Sequence, residues 1–229
     1  MSEREIKSPI HTPKKSTEVK KSSHYEVSDL DPRIKIIPEG KLGTRPSWDE
    51  HGMLHAFASA TRASCKHVRS GSALVLNHGI VGTGYNGAPS KIKHNCLETG
   101  CRKENKGLAY EESLGSGECI GVHSEKNALR YAGSNRSEEF DMYNIVFPCH
   151  TCAKDLIPYT KRFVFKRMYS KKEMNSTLEL LGEAKVEIYQ LDLSPERFFD
   201  IYFNQPNVAF DMWSLDEKQR MINIFDGMK

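Results

Sequence analysis

The sequence has no apolar run approaching the ~18 residues that a membrane span requires, and hydrophobic residues make up only 38% of its 229 positions. No membrane partner is expected. The opening stretch Met1–Ile10 lacks the apolar core of a secretory signal, so the expected location is cytoplasmic. Cysteines number only six. In a reducing compartment they are expected to serve metal or catalytic roles rather than a disulfide framework. A dominant charge is missing too. The formal net charge is +3, and residues 1–45 hold ten Lys/Arg against seven Asp/Glu, so residues 46–229 balance at 23 of each sign. The bulk of the chain therefore lacks the basic excess of a typical nucleic-acid-binding domain, and no nucleic-acid partner is expected. Its length suits one domain with appendages.

Residues 1–45 are rich in Lys, Ser and Pro, with few large apolar side chains. This composition predicts a disordered arm, either a solvated tail or, through the basic stretch Pro13–Lys21, a docking or targeting segment. From Pro46 the pattern changes. Ser47 is placed to cap a helix with Asp49 and Glu50 in its first turn. Ser72–Leu76 and Ile80–Thr83 read as a hairpin turning at Asn77-His78-Gly79. The Gly- and charge-rich stretch from Gly84 to Gly121 is too long for a structureless loop in a compact domain, so something must hold it. Beyond it, helix His123–Tyr131, strand Tyr143–Phe147, helix Cys149–Ile157, strand Arg162–Phe165, helix Glu173–Leu181 and strand Val186–Leu191 alternate. That alternation predicts an α/β layered domain over residues 46–193. Helices Ser194–Phe203 and Ser214–Phe225 are expected to form an extension over residues 194–229.

Two motifs carry chemistry: His123-Ser124-Glu125 and Pro148-Cys149-His150-Thr151-Cys152. Cys149 and Cys152, three apart at a strand-to-helix junction, present both thiolates to one side, where the helix N-terminus favours their charged form. His123, opening another helix, supplies a third ligand. Three protein ligands leave a fourth position open, the pattern of a catalytic zinc. Glu125 points away from the ligand set, as suits a general acid/base acting on a water and the reacting ring. The competing reading is a structural zinc knuckle that joins His123 with His150 or another Cys. It would leave Glu125 without a purpose.

His-x-Glu followed by Pro-Cys-x-x-Cys resembles the signature of zinc-dependent nucleobase deaminases. The likeness extends from Trp48 to Leu191 and points to the deoxycytidylate (dCMP) deaminase family of the cytidine deaminase superfamily. Trp48-Asp49-Glu50 resembles the opening of that family's first helix, and Arg62-Ala63-Ser64-Cys65 its Arg-Ser-Thr-Cys segment. Gly71–Val75 resembles its first strand, and Gly84-Tyr85-Asn86-Gly87-Ala88-Pro89 its Gly-Tyr-Asn-Gly-x-Pro loop. Three departures stand out: Ser124 replaces the usual Ala, and His51 and Gly52 replace an aromatic pair.

The resemblance implies a three-layer α/β/α sandwich around a five-stranded mixed sheet. The implied activity is hydrolysis of dCMP to dUMP and ammonia, with Glu125 moving the protons. Asn86 would contact the deoxyribose beside Tyr85, Ser124 would offer its backbone N–H to the pyrimidine carbonyl, and Tyr169 would lie near the base. Arg62, Ser64 and Lys66 are candidates for the phosphate. Four cysteines remain: Cys65, Cys96, Cys101 and Cys119. Some members of the family carry a second zinc on positions like these, so a closed structural site would clip the insert over about residues 86–122, with His94 or His67 as alternatives to one Cys and free buried thiols as the competing reading. A homo-oligomer, often a hexamer, with dCTP and dTTP as effectors and Mg2+ beside the effector is also implied. Alternatives are a dCTP or modified-deoxycytidylate deaminase, a tRNA-editing adenosine deaminase, and a non-catalytic zinc- and nucleotide-binding module.

Overall fold

The computed structural model describes residues 31–108, 118–133, 138–168, 174–203, 216 and 219–220. Residues 1–30 and nearly all of the second expected terminal helix, Ser214–Phe225, lie outside that set.

Local chemistry starts α1 and the hairpin where the sequence predicts. The Ser47 side chain accepts from the Glu50 N–H at 3.1 Å while the Ser47 N–H donates to Glu50 Oε2 at 2.8 Å. This reciprocal cap opens α1, Trp48–Ala60. Gly52, which looked out of place in a helix, has a packing reason. A Cβ there would lie 2.6 Å from the ring of Tyr143, whose hydroxyl donates to Asp49 Oδ1 at 2.8 Å. β2 (Gly71–Leu76) and β3 (Gly79–Tyr85) form the hairpin. Asn77 and His78 turn it with φ of 49° and 66°, the left-handed pair that suits the twist of a two-residue turn.

The remaining elements are β1 (Ile34–Pro38), α2 (Cys96–Thr99), α3 (Ser124–Tyr131), β4 (Phe140–Val146), α4 (His150–Leu156), β5 (Thr160–Arg167), α5 (Met174–Glu183), β6 (Glu187–Asp192) and α6 (Pro195–Phe203). The sheet runs β1-β6-β5-β4-β2-β3. β1, β6, β5 and β4 are parallel to one another, whereas β2 is antiparallel to both β4 and β3. No helix among the described residues is long and apolar enough to cross a membrane.

Ladder partners share a face, which separates the layers. Ala73, Tyr143 and Val164 line up across β2, β4 and β5, and they pack with Met53, Leu54 and Ala56 of α1 and Ile201 of α6. The alternate set, Ser72, Asn144 and Phe165, faces the side on which α3 and α4 lie. α3 approaches β3 so closely that a Cβ on Gly84 would overlap the backbone of Ala128 and Ser124. Glycine there is what lets the helix carrying Ser124 and Glu125 lie flat on the sheet.

The sheet has six strands rather than the expected five, within the same three-layer α/β class. The extra strand, β1, falls inside the stretch expected to be a disordered arm, and that expectation is corrected for residues 31–45. β1 adds to β6 as a parallel edge strand. An edge position tolerates Lys35 and Pro38, residues that disguise a strand in the sequence. The segment after it is held by charge. Glu50 accepts from the Gly40 N–H at 2.8 Å, Asp200 from the Gly43 N–H at 2.9 Å, and Arg197 donates to the Lys41 carbonyl at 2.8 Å.

Candidate functional site

His123 and Cys149 each occupy a helix N-cap position, of α3 and α4, with extended backbone (ψ 154° and 159°). The two helices thus begin side by side at one end of the sheet. His123 Nδ1 lies 3.5 Å from Cys149 Sγ and 3.4 Å from Cys152 Sγ. A tetrahedral zinc with Zn–S of ~2.3 Å and Zn–N of ~2.0 Å sets its donors about 3.5 Å apart, so the spacing and the donor chemistry both fit zinc. Among the described residues this trio is one of two groups able to hold a metal, and His150 is not part of it.

The thiols differ in character. Cys149 is held down to about 4 by the Cys152 thiol that donates to it, against burial and with help from His123. Cys152 is raised, first by that same bond and then by burial. His123 is raised by its bond to Cys149. A thiolate, a thiol proton and an imidazole converging on one point form a set from which a divalent cation displaces protons.

Glu125 is 5% exposed. Burial raises its carboxyl, partly offset by the charge of His123, its own backbone N–H and the Ser124 hydroxyl. Ser124 Oγ lies 3.1 Å from Glu125 Oε2. His123, Ser124, Glu125 and Cys149 line one wall of a cavity of about 490 Å3, and Ser64, Val68, Asn86 and Gly87 line another.

The structure spends much of Asn86 on the segment that leads into β2. Its Oδ1 accepts from the Ser70 N–H at 2.8 Å and its Nδ2 donates to the Val68 carbonyl at 2.7 Å, leaving one N–H and one lone pair for a ligand. The end of β3 just before Asn86 is pinned by Asn127 Nδ2, which donates to the Tyr85 carbonyl at 2.8 Å. Ser64 reaches the cavity, but Arg62 and Tyr85 are exposed and do not line it. Lys66 pairs with Glu104 at 2.9 Å instead. Tyr169 lies outside the described residues. Arg102, Lys103 and His67 do line the cavity, and sequence reasoning missed the first two. The signal available was a basic pair directly after Cys101 in an insert that needed anchoring.

Cys65, Cys96, Cys101 and Cys119 line the same cavity. Burial raises the Cys96 thiol, and the other three act on it as neighbouring charges. His94 Nε2 is 3.4 Å from Cys96 Sγ. The second group able to hold a metal is His67, Cys101 and Glu104, their ligand atoms all within 4.8 Å of one another. The insert's ends are tied by a two-residue bridge, in which the Val122 N–H donates to the Gly87 carbonyl at 2.8 Å and the Gly87 N–H to the Val122 carbonyl at 3.1 Å.

The family model of the cytidine and deoxycytidylate deaminase zinc-binding region matches residues 46–167. The chain is 30% identical to a deoxycytidylate deaminase of Saccharomyces cerevisiae over 74% of this chain and 54% of that one. It is 33% identical to one of Mycobacterium phage D29 over 48% of this chain and 86% of that one. The chain spans about half the length of the two yeast relatives it matches. The crystal structure of a cyanophage S-TIM5 dCMP deaminase with dCMP and dUMP superimposes with a TM-score of 0.50 at 23% identity, over 64% of this chain and 98% of that one. At that identity the likeness speaks for the fold.

Proposed function

The chain belongs to the cytidine and deoxycytidylate deaminase family, and from that membership we propose that it hydrolyses dCMP to dUMP and ammonia. The observation that carries this reading is the convergence of His123, Cys149 and Cys152 on one point, with His123, Cys149 and the buried Glu125 lining one cavity. His123, Cys149 and Cys152 would hold the zinc, which when bound supplies a Lewis acid that makes water a nucleophile near neutral pH. Glu125 accepts a proton from the water as it attacks C4 and delivers it to ring N3, then takes the proton of the new C4 hydroxyl and delivers it to the amine as the C4–N bond breaks. Its raised carboxyl suits both taking and returning a proton. The Ser124 backbone N–H, at the first turn of α3 where no helix carbonyl claims it, is free for the pyrimidine carbonyl. Asn86 and Ser64 face the sugar and phosphate, with Arg102 and Lys103 supplying positive charge in the same cavity.

The test is a product assay on purified protein with dCMP, dCTP, a 5-modified deoxycytidylate and a tRNA anticodon stem-loop, combined with metal analysis. Deamination of dCMP that disappears in Glu125→Ala with zinc retained supports the reading. Another preferred substrate reassigns it, and no product from any of them leaves a zinc- and nucleotide-binding module.

A structural zinc in the insert is part of the proposal, held by Cys65, Cys96, Cys101 and Cys119 or by a mixed set with His94 or His67. The shared cavity of the four thiols and the short Cys96–His94 contact support it. Two zincs per chain, falling to one in Cys96→Ser, is the expected result. From the resemblance comes a homo-oligomer, often a hexamer, that responds to dCTP and dTTP with Mg2+. Sedimentation and activity with and without these effectors test the assembly and its control.

A further inference from the structure

Four polar side chains sit where an apolar layer would be expected between α3 and the sheet. Asn144, Ser72 and Ser124 have no exposed surface and Ser70 is 7% exposed. Buried hydroxyls and amides persist only when bonded, and distance together with acceptor strength selects one arrangement. Asn144 Nδ2 donates to the Val146 carbonyl at 2.7 Å, which turns its Oδ1 towards the serines as an acceptor. Ser72 Oγ lies 2.8 Å from that oxygen, Ser70 Oγ 3.2 Å and Ser124 Oγ 3.3 Å. A carbonyl oxygen offers two lone pairs, and the two nearer hydroxyls fill them. Ser124 Oγ lies 3.1 Å from both Ser70 Oγ and Glu125 Oε2, and its single proton goes to the glutamate, a carboxylate being the stronger acceptor.

We propose that Asn144 and Ser124 are positioning residues. Asn144 orients the Ser70 and Ser72 hydroxyls, and this directs the Ser124 hydroxyl onto the carboxylate of Glu125, holding it in the rotamer that faces the cavity. The proposal rests on the reading of Glu125 as the proton carrier. It also accounts for the departure at position 124. In this chain the hydroxyl belongs to a set with Ser70, Ser72 and Asn144 and is more than a tolerated replacement.

The test uses the full chain and four variants: Glu125→Ala, Ser124→Ala, Asn144→Leu and the Ser124→Ala/Asn144→Leu pair. For Ser124→Ala, kcat should fall roughly tenfold, the scale of one hydrogen bond to a charged group, with KM within about twofold and zinc content unchanged. Because Asn144 acts through Ser124, the pair should lose no more kcat than the worse single variant. Unchanged kcat in Ser124→Ala overturns the proposal, as does a loss of kcat that tracks lost zinc. Multiplicative losses in the pair overturn the role of Asn144. Should Asn144→Leu fail to fold, Ser124→Ala decides alone. Full activity in Glu125→Ala would instead defeat the reading of Glu125, a separate outcome.

Discussion

Two buried glutamates in this molecule are built in opposite ways. Glu50 has no exposed surface and meets Arg197 Nε at 2.7 Å and Nη2 at 3.0 Å, while Arg197 Nη1 meets Asp200 at 2.7 Å. The Lys41 and Thr44 carbonyls take further guanidinium protons. Burial alone would raise the Glu50 carboxyl, but Arg197 and the Gly40 and Ser47 N–H groups outweigh it, and the carboxyl is lowered. Glu125 is nearly as buried, faces no guanidinium, and is raised. A carboxylate meant to stay charged is surrounded by donors, whereas one meant to pass protons is left with few. The difference lies in the partners, since both side chains are alike and both are buried.

The sharpest way to break the comparison is to remove each carboxylate's function in turn. Glu125→Ala should cut kcat by about 10²–10⁴-fold, the usual contribution of a general acid/base. Its thermal midpoint should stay at or above that of the parent, because a poorly paired buried carboxylate has been removed. Steady-state kinetics and calorimetry on the same preparation would check both parts.

Arg197→Met inverts the pattern. It strands Glu50 and should cost about 3–5 kcal/mol in denaturant unfolding, with kcat of the folded fraction preserved. If Arg197→Met leaves stability untouched, the cluster is no clamp. Gly84→Ala comes next. The new Cβ would press on Ala128 and Ser124, and such overpacking is expected to cost about 1–3 kcal/mol. Because α3 carries Glu125, activity should fall together with stability, unlike the Arg197 variant.

The smallest effect is in acid. Glu50 has a folded pKa lowered from the ordinary 4.5, so its contribution is fully present above 4.5 and is lost as pH falls through the lowered value. Urea unfolding below pH 4.5 should therefore show a steeper loss of stability in the parent than in Arg197→Met. Parallel slopes would mean that the pair does not set the acid response.

The two clusters were unequally legible. His123, Glu125, Cys149 and Cys152 stand in two short motifs at helix starts, and the residue types and spacing within each motif mark them. The capping box at Ser47 and the Asn77-His78 turn are local in the same sense. Glu50 and Arg197 are 147 residues apart, and nothing near either one signals the other. β1 was hidden for a related reason: an edge strand with one buried residue, Ile34, has little pattern to show, and only β6 gives it a partner. Asn144 did leave a trace, as a lone amide inside the apolar run Met142–Phe147, but its meaning depends on three serines from two other segments. Arg62 and Tyr85 were expected near the substrate through the resemblance of their segments, and the structure leaves both exposed and outside the cavity lining.

The sequence by itself determined which residues offer metal-ligand and proton-transfer chemistry, and where α1 and the hairpin turn begin, because those choices rest on groups a few positions apart. Tertiary structure alone decided that one buried glutamate is clamped by an arginine while the other is left raised beside a cavity. It also decided that Ser124 points at a carboxylate. A buried group's charge state depends on what surrounds it in three dimensions, and those neighbours come from strands and helices that meet only once the sheet has formed.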